Sequence, residues 1–197
     1  FTADWNENYY AAGTAVVEDI TVRRFPVRRR ETQAFDRVNR KLMDGKQISP
    51  KEEQIFVEEM VNSPQLYEYM RDAQDEYGLY VFIPYMFGTT YYGMQVCPEK
   101  SVLIPCFHDE AYVYMRLFRQ AYVKARGMIY NAMPEMELAN RVYDFTTTEQ
   151  ICMGIGMDTK IQSDADAFRK QFGIDKPFIL YAGRKDVGKN VHTLLRY

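Results

Sequence analysis

This sequence has few histidines, few cysteines and almost no net charge. Only two histidines and three cysteines occur in 197 residues, and the formal net charge is −2. The cysteines, Cys97, Cys106 and Cys152, are odd in number and have no C-x-x-C spacing, which favours buried thiols in a reducing compartment over a disulfide framework. The scarcity of such ligands predicts no metal site and no cofactor, and the weak charge provides no field that would recruit nucleic acid.

Long apolar runs are also absent. The sequence has no stretch of 18 apolar residues and no signal peptide, so we expect a cytoplasmic protein, in contact at most with the inner face of the membrane. The 47% hydrophobic content supports a real core, and the length accommodates one full domain and part of another. Because the sequence opens at Phe1 rather than at a methionine, we also expect that residues precede it.

The first 77 residues predict a β segment followed by helices. Residues 1–30 have an irregular or β-rich pattern, in which Ile20–Val27 is typical of a strand. A helical spacing of apolar residues follows, and Gly45 is a typical helix end. Serine precedes proline at Pro50 and at Pro64, which marks two helix starts, the first within a capping-box pattern. We therefore predict helices over residues 31–45, 50–61 and 64–77.

Strands and helices alternate after Gly78. Leu79–Pro84 and Ser101–Pro105 are short apolar runs bounded by proline, and Ala111–Ala125 is long enough for a helix. This alternation predicts an α/β fold with a Rossmann-type, doubly wound parallel sheet. Ligands of such sheets bind at the carboxyl ends of the strands, so we expect His108 at the ligand-binding edge.

The most distinctive segment is an apolar run followed by two cations. The run Phe178–Ala182 is continuously apolar, which is typical of a parallel strand covered on both faces. Arg184 and Lys189 follow, and a helical pattern begins after Asn190. The segment therefore predicts a strand, a cationic loop and a helix N-terminus that together bind phosphate.

The same segment is similar to a P-loop. Gly183, Gly188 and Lys189 match the pattern G-x-x-x-x-G-K-[ST], but Asn190 stands where a hydroxyl would hold magnesium. A P-loop-like nucleotide-binding protein is therefore one alternative. A non-catalytic module that binds a carbohydrate or a partner protein is another.

The order of four segments resembles the family 4 glycosyltransferases, which have the GT-B fold. A strand that ends in histidine, SVLIPCFHDE, is followed by GMIYNAMPEMELA, by ICMGIGMD and by GRKDVGKN, and the similarity extends over roughly residues 77–197. The resemblance implies an acceptor-side domain over residues 1–157, with a helical insertion at about 31–77. Residues 158–197 would be a linker and the incomplete start of a second Rossmann-type domain, which binds the nucleotide sugar.

This resemblance implies an activity. A sugar would pass from a nucleotide-sugar donor to a glycan or lipid-linked acceptor with retention of configuration, in the biosynthesis of a surface polysaccharide. The expected catalytic residues are His108, Arg184 and Lys189, and the expected diphosphate-binding residues are Gly183, Arg184, Lys189 and Asn190. The cations would stabilise the leaving diphosphate without a metal. Since the family's acidic pair would lie beyond the last residue, we expect these 197 residues alone to be inactive.

The remaining acidic residues have simpler interpretations. Asp109 and Glu110 are expected to open the helix that begins near Ala111 rather than to bind a divalent ion. Glu135 and Glu137 are expected to lie on a solvated helix face.

Five arginines lie within residues 23–30. Such a density is usually a solvated surface, and this is the interpretation we favour; because it also suits an anionic membrane or a lipid pyrophosphate, peripheral membrane contact and acceptor binding are the alternative. The expected acceptor-binding residues are Trp5, Asn6, Tyr9, Arg23 and Arg24.

Overall fold

The structure is a computed structural model that describes residues 5–185 and 189–196. Contacts between Cα atoms divide the chain into two compact units, Phe1–Ile155 and Gly156–Tyr197. The division into an acceptor-side and a donor-side domain at residues 157 and 158 stays a prediction, because compactness assigns no function to either unit.

The first unit opens with an antiparallel hairpin. Strand β1 (Gly13–Val17) pairs with strand β2 (Ile20–Arg24). The two turn residues, Glu18 and Asp19, have φ of 49° and 64°, which is the backbone twist that a two-residue hairpin turn requires. The strand predicted over residues 20–27 ends at residue 24, because β1 offers no partner beyond its first residue.

Three helices follow where their start signals predict them. They are α1 (Thr32–Met43), α2 (Pro50–Glu59) and α3 (Pro64–Asp72). The capping box of α2 is confirmed: the Glu52 N–H donates to the Ser49 hydroxyl at 3.3 Å, and the Ser49 N–H donates to the Glu52 carboxylate at 2.8 Å. Helix α3 stops at residue 72 rather than 77, and a 3₁₀ turn follows it. None of the helices in the described ranges is long and apolar enough to cross a membrane.

Four parallel strands form the sheet of the first unit. The strands are β3 (Tyr80–Phe82), β4 (Ser101–Leu103), β5 (Gly127–Tyr130) and β6 (Glu149–Cys152). The intervening helices are α4 (Gly88–Met94), α5 (Arg116–Tyr122) and α6 (Met133–Val142). In space the strands lie in the order β3-β4-β5-β6, so β4, β5 and β6 each pair with the strand before them in sequence. The predicted α/β fold with a Rossmann-like parallel sheet is confirmed.

The helix between β4 and β5 is interrupted. A single helix predicted over residues 111–125 is wrong: the chain forms a 3₁₀ turn, Ala111–Tyr114, and then α5 after an extended Met115 with ψ of 132°. The break is held by Glu53 of α2, whose carboxylate accepts the first two backbone N–H groups of α5 at 2.8 and 2.9 Å. This carboxylate satisfies helix-terminal donors and complements the helix dipole.

One face of the sheet packs in the core, and much of the other is open. Leu103 and Met128 pair across β4 and β5 and are almost fully buried. Successive side chains of a strand point to opposite faces, and on the other face Val81, Ile83 and Ile151 are more than half exposed. Because parallel sheets normally bury both faces, this apolar surface is an unusual feature of the described part of the chain.

Buried tyrosines set an alkaline limit on stability. Burial raises the pKa of Tyr85, Tyr122, Tyr130 and Tyr143 above the ordinary value. A phenol whose pKa is raised by folding contributes its full stability below the unfolded pKa of about 10 and loses it as the pH rises towards the folded pKa. We expect the free energy of unfolding to fall above pH about 10, by about 1.4 kcal/mol per pH unit for each such tyrosine.

Urea unfolding at a series of alkaline pH values, followed by circular dichroism, tests this expectation. Tyr130→Phe should make the decline shallower, because that phenol can no longer ionise. Tyr9→Phe is the control, since Tyr9 is 88% exposed. Equal slopes in the two variants would contradict the assignment of the alkaline limit to buried phenols.

The second unit contains two described helices. Asp164 caps the start of helix α7 (Ala165–Phe172), where its carboxylate accepts the Ala167 N–H at 2.8 Å, and Gly173, with φ of 65°, caps its end. Both are ordinary helix-terminal arrangements. Helix α8 (Val191–Leu194) is a single turn that starts after Asn190, as the sequence predicts.

The buried strand predicted over Phe178–Ala182 is wrong for this structure. Phe178, Ile179 and Leu180 are 44%, 90% and 68% exposed, and no described strand pairs with the segment. A strand depends on hydrogen bonds to a neighbouring strand, so apolar character alone does not produce one. Phe178 instead stacks on Phe168 of α7, with the ring centroids 6.0 Å apart.

Candidate functional site

Glu135 joins the carboxyl ends of two neighbouring strands. It lies in the first turn of α6 and is only 8% exposed. Its Oε1 accepts the Phe107 N–H, which follows β4, and its Oε2 accepts the Asn131 N–H, which follows β5, both at 2.8 Å. Hydrogen bonds to a carboxylate are stronger than neutral ones. Glu135 therefore fixes the loops after β4 and β5 relative to each other.

The residue before Phe107 has an unusual backbone conformation. Cys106 has φ of 55°, a value that is uncommon outside glycine and that clusters at functional sites. The Asn131 amide donates to the Cys106 sulfur at 3.4 Å. Burial raises the pKa of the Cys106 thiol by more than the Asn131 hydrogen bond lowers it, and the Glu135 carboxylate adds a smaller rise. Because a protonated thiol is a poor nucleophile, Cys106 is suited to shaping the loop rather than to attacking a substrate.

The following turn is held by Glu110. The hydroxyl of buried Tyr85 donates to Glu110 Oε1 at 3.0 Å, and the Tyr85 N–H donates to the Pro105 carbonyl at 3.0 Å. Burial, and next the Glu110 carboxylate, raise the pKa of Tyr85, so its hydroxyl remains a donor. Asp109 accepts a hydrogen bond from the Tyr114 hydroxyl at 2.7 Å. As expected, a helical turn, here of the 3₁₀ type, begins directly after this acidic pair.

His108 lies between these two anchors. Phe107 before it is bound by Glu135, and Glu110 after it is bound by Tyr85. The His108 side chain is exposed at the carboxyl edge of the sheet, where α/β folds bind ligands. An imidazole in this position can both donate and accept hydrogen bonds near neutral pH. The contact of His108 with a sugar donor stays a prediction.

The predicted diphosphate loop belongs to the second unit. Gly183 and Arg184 are exposed, and the Tyr181 hydroxyl donates to the Arg184 carbonyl at 3.0 Å, which gives the first part of the loop a defined turn. Gly188, which the P-loop interpretation requires, lies outside the described residues. That alternative therefore stays a prediction.

Lys189 and Asn190 lead into α8. Asn190 adopts φ of 54°, a left-handed conformation that asparagine tolerates better than most residues. Its side-chain oxygen accepts a hydrogen bond from the Thr193 hydroxyl at 2.6 Å. Both residues are exposed, so their side chains are accessible to a ligand.

Two of the expected acceptor residues are packed into the first unit. The Trp5 ring meets Phe35 and Phe87 edge to face, with centroids 6.4 and 5.8 Å apart, and the Asn6 side chain accepts the Arg30 N–H at 2.6 Å. The Arg30 guanidinium lies 5.1 Å from the Trp5 ring, and the residue as a whole is 7% exposed. The interpretation of the arginine run as a solvated surface is therefore wrong for Arg30.

The other expected acceptor residues lie around the hairpin. Tyr9 is exposed and contacts Tyr10, over whose ring the Arg24 guanidinium lies at 4.7 Å. The Arg23 guanidinium lies 4.3 Å over the Tyr69 ring. The structure therefore places Arg23 and Arg24 on different aromatic neighbours, and binding of an acceptor by these residues stays a prediction.

Glu135 is the site residue that the sequence interpretation missed. Glu137 is exposed as expected, but the assignment of Glu135 to a solvated helix face is wrong. A signal was present: Pro134 marks the start of α6, so Glu135 stands in the first turn of a helix directly after a strand.

At the carboxyl edge of the sheet, Glu135 and Glu110 bind their neighbours through hydrogen bonds. Within residues 5–185 and 189–196, no three histidine, cysteine, aspartate or glutamate side chains come together as metal ligands would.

No protein-family model matches this sequence, and no curated protein or solved structure is significantly similar to it.

Proposed function

We propose that this chain is part of a retaining glycosyltransferase of the GT-B type, which transfers a sugar from a nucleotide sugar to a glycan or lipid-linked acceptor, as in surface polysaccharide biosynthesis. The observation that carries the proposal is the loop with His108, anchored by Glu135 and Tyr85 at the carboxyl edge of a parallel sheet. An exposed imidazole on a rigid loop at this edge suits the positioning of a polar substrate.

In the proposed reaction, one group of residues stabilises the charge on the leaving diphosphate and another positions the substrates. The acceptor hydroxyl forms the new glycosidic bond as the bond from the anomeric carbon to the diphosphate breaks, and the acceptor proton leaves with the diphosphate. Arg184 and Lys189 stabilise the negative charge that develops on the diphosphate, together with the backbone at Gly183 and Asn190. His108 hydrogen-bonds the donor sugar or orders the acceptor.

Binding of nucleotides separates this proposal from its alternatives. The full protein that contains this chain is titrated calorimetrically with nucleoside diphosphates, nucleotide sugars and nucleoside triphosphates, with and without magnesium. Metal-independent binding of a diphosphate supports the proposal. Magnesium-dependent binding of triphosphates alone favours the P-loop alternative, and binding of no nucleotide favours a non-catalytic module.

Lys189→Ala is expected to lower kcat roughly 10²-fold, because removal of one preorganised donor at a site of developing charge has an effect of this order. Turnover of the nucleotide sugar that binds best in the titration is the measurement. Lys185→Ala is the matched control, since Lys185 is an exposed lysine of the same segment. Equal activity of the two variants would refute the role of Lys189.

A further inference from the structure

A groove of about 410 Å³ runs along the free edge of β3. Its volume lies within the range of small-molecule sites. The lining is mostly apolar and aromatic and includes Phe25, Leu66, Tyr69, Val81 and Ile83. Among the described strands β3 pairs only with β4, so this side of β3 is open.

Arg23 gives the groove its charge. Of the described residues that line it, Arg23 alone is charged, and no described carboxylate forms an ion pair with it. Its guanidinium lies 4.3 Å over the Tyr69 ring. A guanidinium that stacks on an aromatic ring keeps the N–H groups along its edge available for a phosphate or a carboxylate.

The tyrosines of the groove leave this charge unopposed. The Tyr69 and Tyr77 hydroxyls share a hydrogen bond of 2.6 Å, and the Tyr80 hydroxyl donates to the Met70 carbonyl at 3.3 Å. The hydrogen bond to Tyr77 raises the pKa of Tyr69, and burial raises the pKa of Tyr80, so both phenols are neutral at physiological pH. Glu76 acts on both Tyr69 and Tyr80, and Asp75 acts on Tyr80, but neither carboxylate lines the groove.

We propose that this groove binds an amphipathic anion, with a hydrocarbon chain against the apolar lining and a phosphate or carboxylate head group at Arg23. An apolar groove that is open along a strand edge accommodates an extended chain, and the single unpaired guanidinium at its wall selects a negative head. The proposal rests on the groove and on Arg23 rather than on sugar transfer, and a lipid-linked acceptor of the proposed enzyme would be one ligand of this chemistry.

Three probes separate the contributions of chain and head group. Octyl phosphate, 1-octanol and inorganic phosphate are titrated into the full protein by calorimetry below the concentration at which octyl phosphate forms micelles. Octyl phosphate should bind roughly tenfold or more tightly than either of the others, since each of them lacks one half of the recognised ligand. Equal affinity for octyl phosphate and octanol would overturn the assignment of a head-group site.

Two neighbouring arginines provide a matched pair of variants. Arg23→Gln should weaken octyl phosphate roughly tenfold and leave octanol unchanged, because one charge-assisted contact is lost. Arg24→Gln should change neither, since Arg24 lies over Tyr10 and outside the lining. Val81→Glu places a charge in the apolar wall at a residue that is 56% exposed, so it should abolish binding of both probes while the circular dichroism spectrum stays the same. An equal effect of Arg23→Gln and Arg24→Gln would refute the site.

Anionic vesicles distinguish a lipid in a bilayer from a free amphiphile as the source of this ligand. Sedimentation with phosphatidylglycerol vesicles that is lost in Arg23→Gln but kept in Arg24→Gln would identify a lipid in a bilayer. Binding of octyl phosphate without vesicle binding would identify a free amphiphile. Binding of neither octyl phosphate nor anionic vesicles would overturn the proposal.

Discussion

Glu135→Ala is expected to lower the free energy of unfolding by about 2–4 kcal/mol, because two backbone N–H groups lose their acceptor and each unsatisfied buried donor costs about 1–3 kcal/mol. The carboxylate is buried and accepts the N–H groups of Phe107 and Asn131, both at 2.8 Å. After the substitution, the backbone N–H groups of buried Phe107 and half-buried Asn131 lose their acceptor. Chemical denaturation with a two-state fit gives the measurement.

Two further variants show whether the loss of stability comes from the carboxylate or from the helix. Glu137→Ala, at an exposed position of the same helix, should change the free energy of unfolding by less than about 0.5 kcal/mol. Glu135→Gln keeps the shape of the side chain, but its amide NH₂ meets one of the two N–H donors, so it should be destabilising as well. If Glu137→Ala and Glu135→Ala were equally destabilising, the effect would belong to the helix rather than to the carboxylate.

Gly88→Ala is expected to destabilise the protein by about 3 kcal/mol or more, as overpacking does where the surroundings cannot relax. A Cβ at this first residue of α4 would lie 2.5 Å from the Val57 carbonyl oxygen and 2.9 Å from the Val61 carbonyl oxygen. Both contacts are with backbone atoms, one in the last turn of α2 and one two residues beyond its end, so no side-chain rotation relieves them. The melting temperature and the denaturant midpoint should fall together.

The expected change in the free energy of unfolding has the opposite sign to that of an ordinary replacement of glycine by alanine. Alanine usually stabilises a helix relative to glycine, and it also reduces the entropy of the unfolded chain. Gly78→Ala is the control, because a Cβ there meets no atom within 4 Å. That variant should be neutral or slightly stabilised. A neutral Gly88→Ala would show that α2 and α4 separate more easily than their contact suggests.

The elements that sequence predicts well are those specified by neighbouring residues. The capping box at Ser49 and the apolar runs of β3 and β4 depend on a few adjacent positions, and both appear in the structure. The break before α5 could not be predicted in this way, since the carboxylate that holds it comes from Glu53, far away in sequence. The same limit applies to Phe178–Ala182, because its apolar pattern specifies a strand only when a partner strand is present.

The position of the site could be predicted from the sequence, but the contacts that hold its loop in place could not. A histidine after a strand of an α/β sheet falls at the ligand-binding edge by topology alone, so His108 could be placed from the sequence. Pro134 places Glu135 in the first turn of a helix after a strand, but this position does not show which groups its carboxylate binds. Only the closeness of the ends of β4 and β5 shows that its two oxygens bridge the two loops.

The strand order has a consequence for how the first unit assembles. Val81 pairs with Val102, and Gly127 pairs in turn with Val102 and with Glu149, so every added strand meets a partner that has already been synthesised. No strand of this sheet has to wait for a later one, which keeps the separation between paired segments short and limits the entropy lost in closing each loop. Such a sheet can therefore grow in one direction as the chain emerges from the ribosome, with β3 as its template.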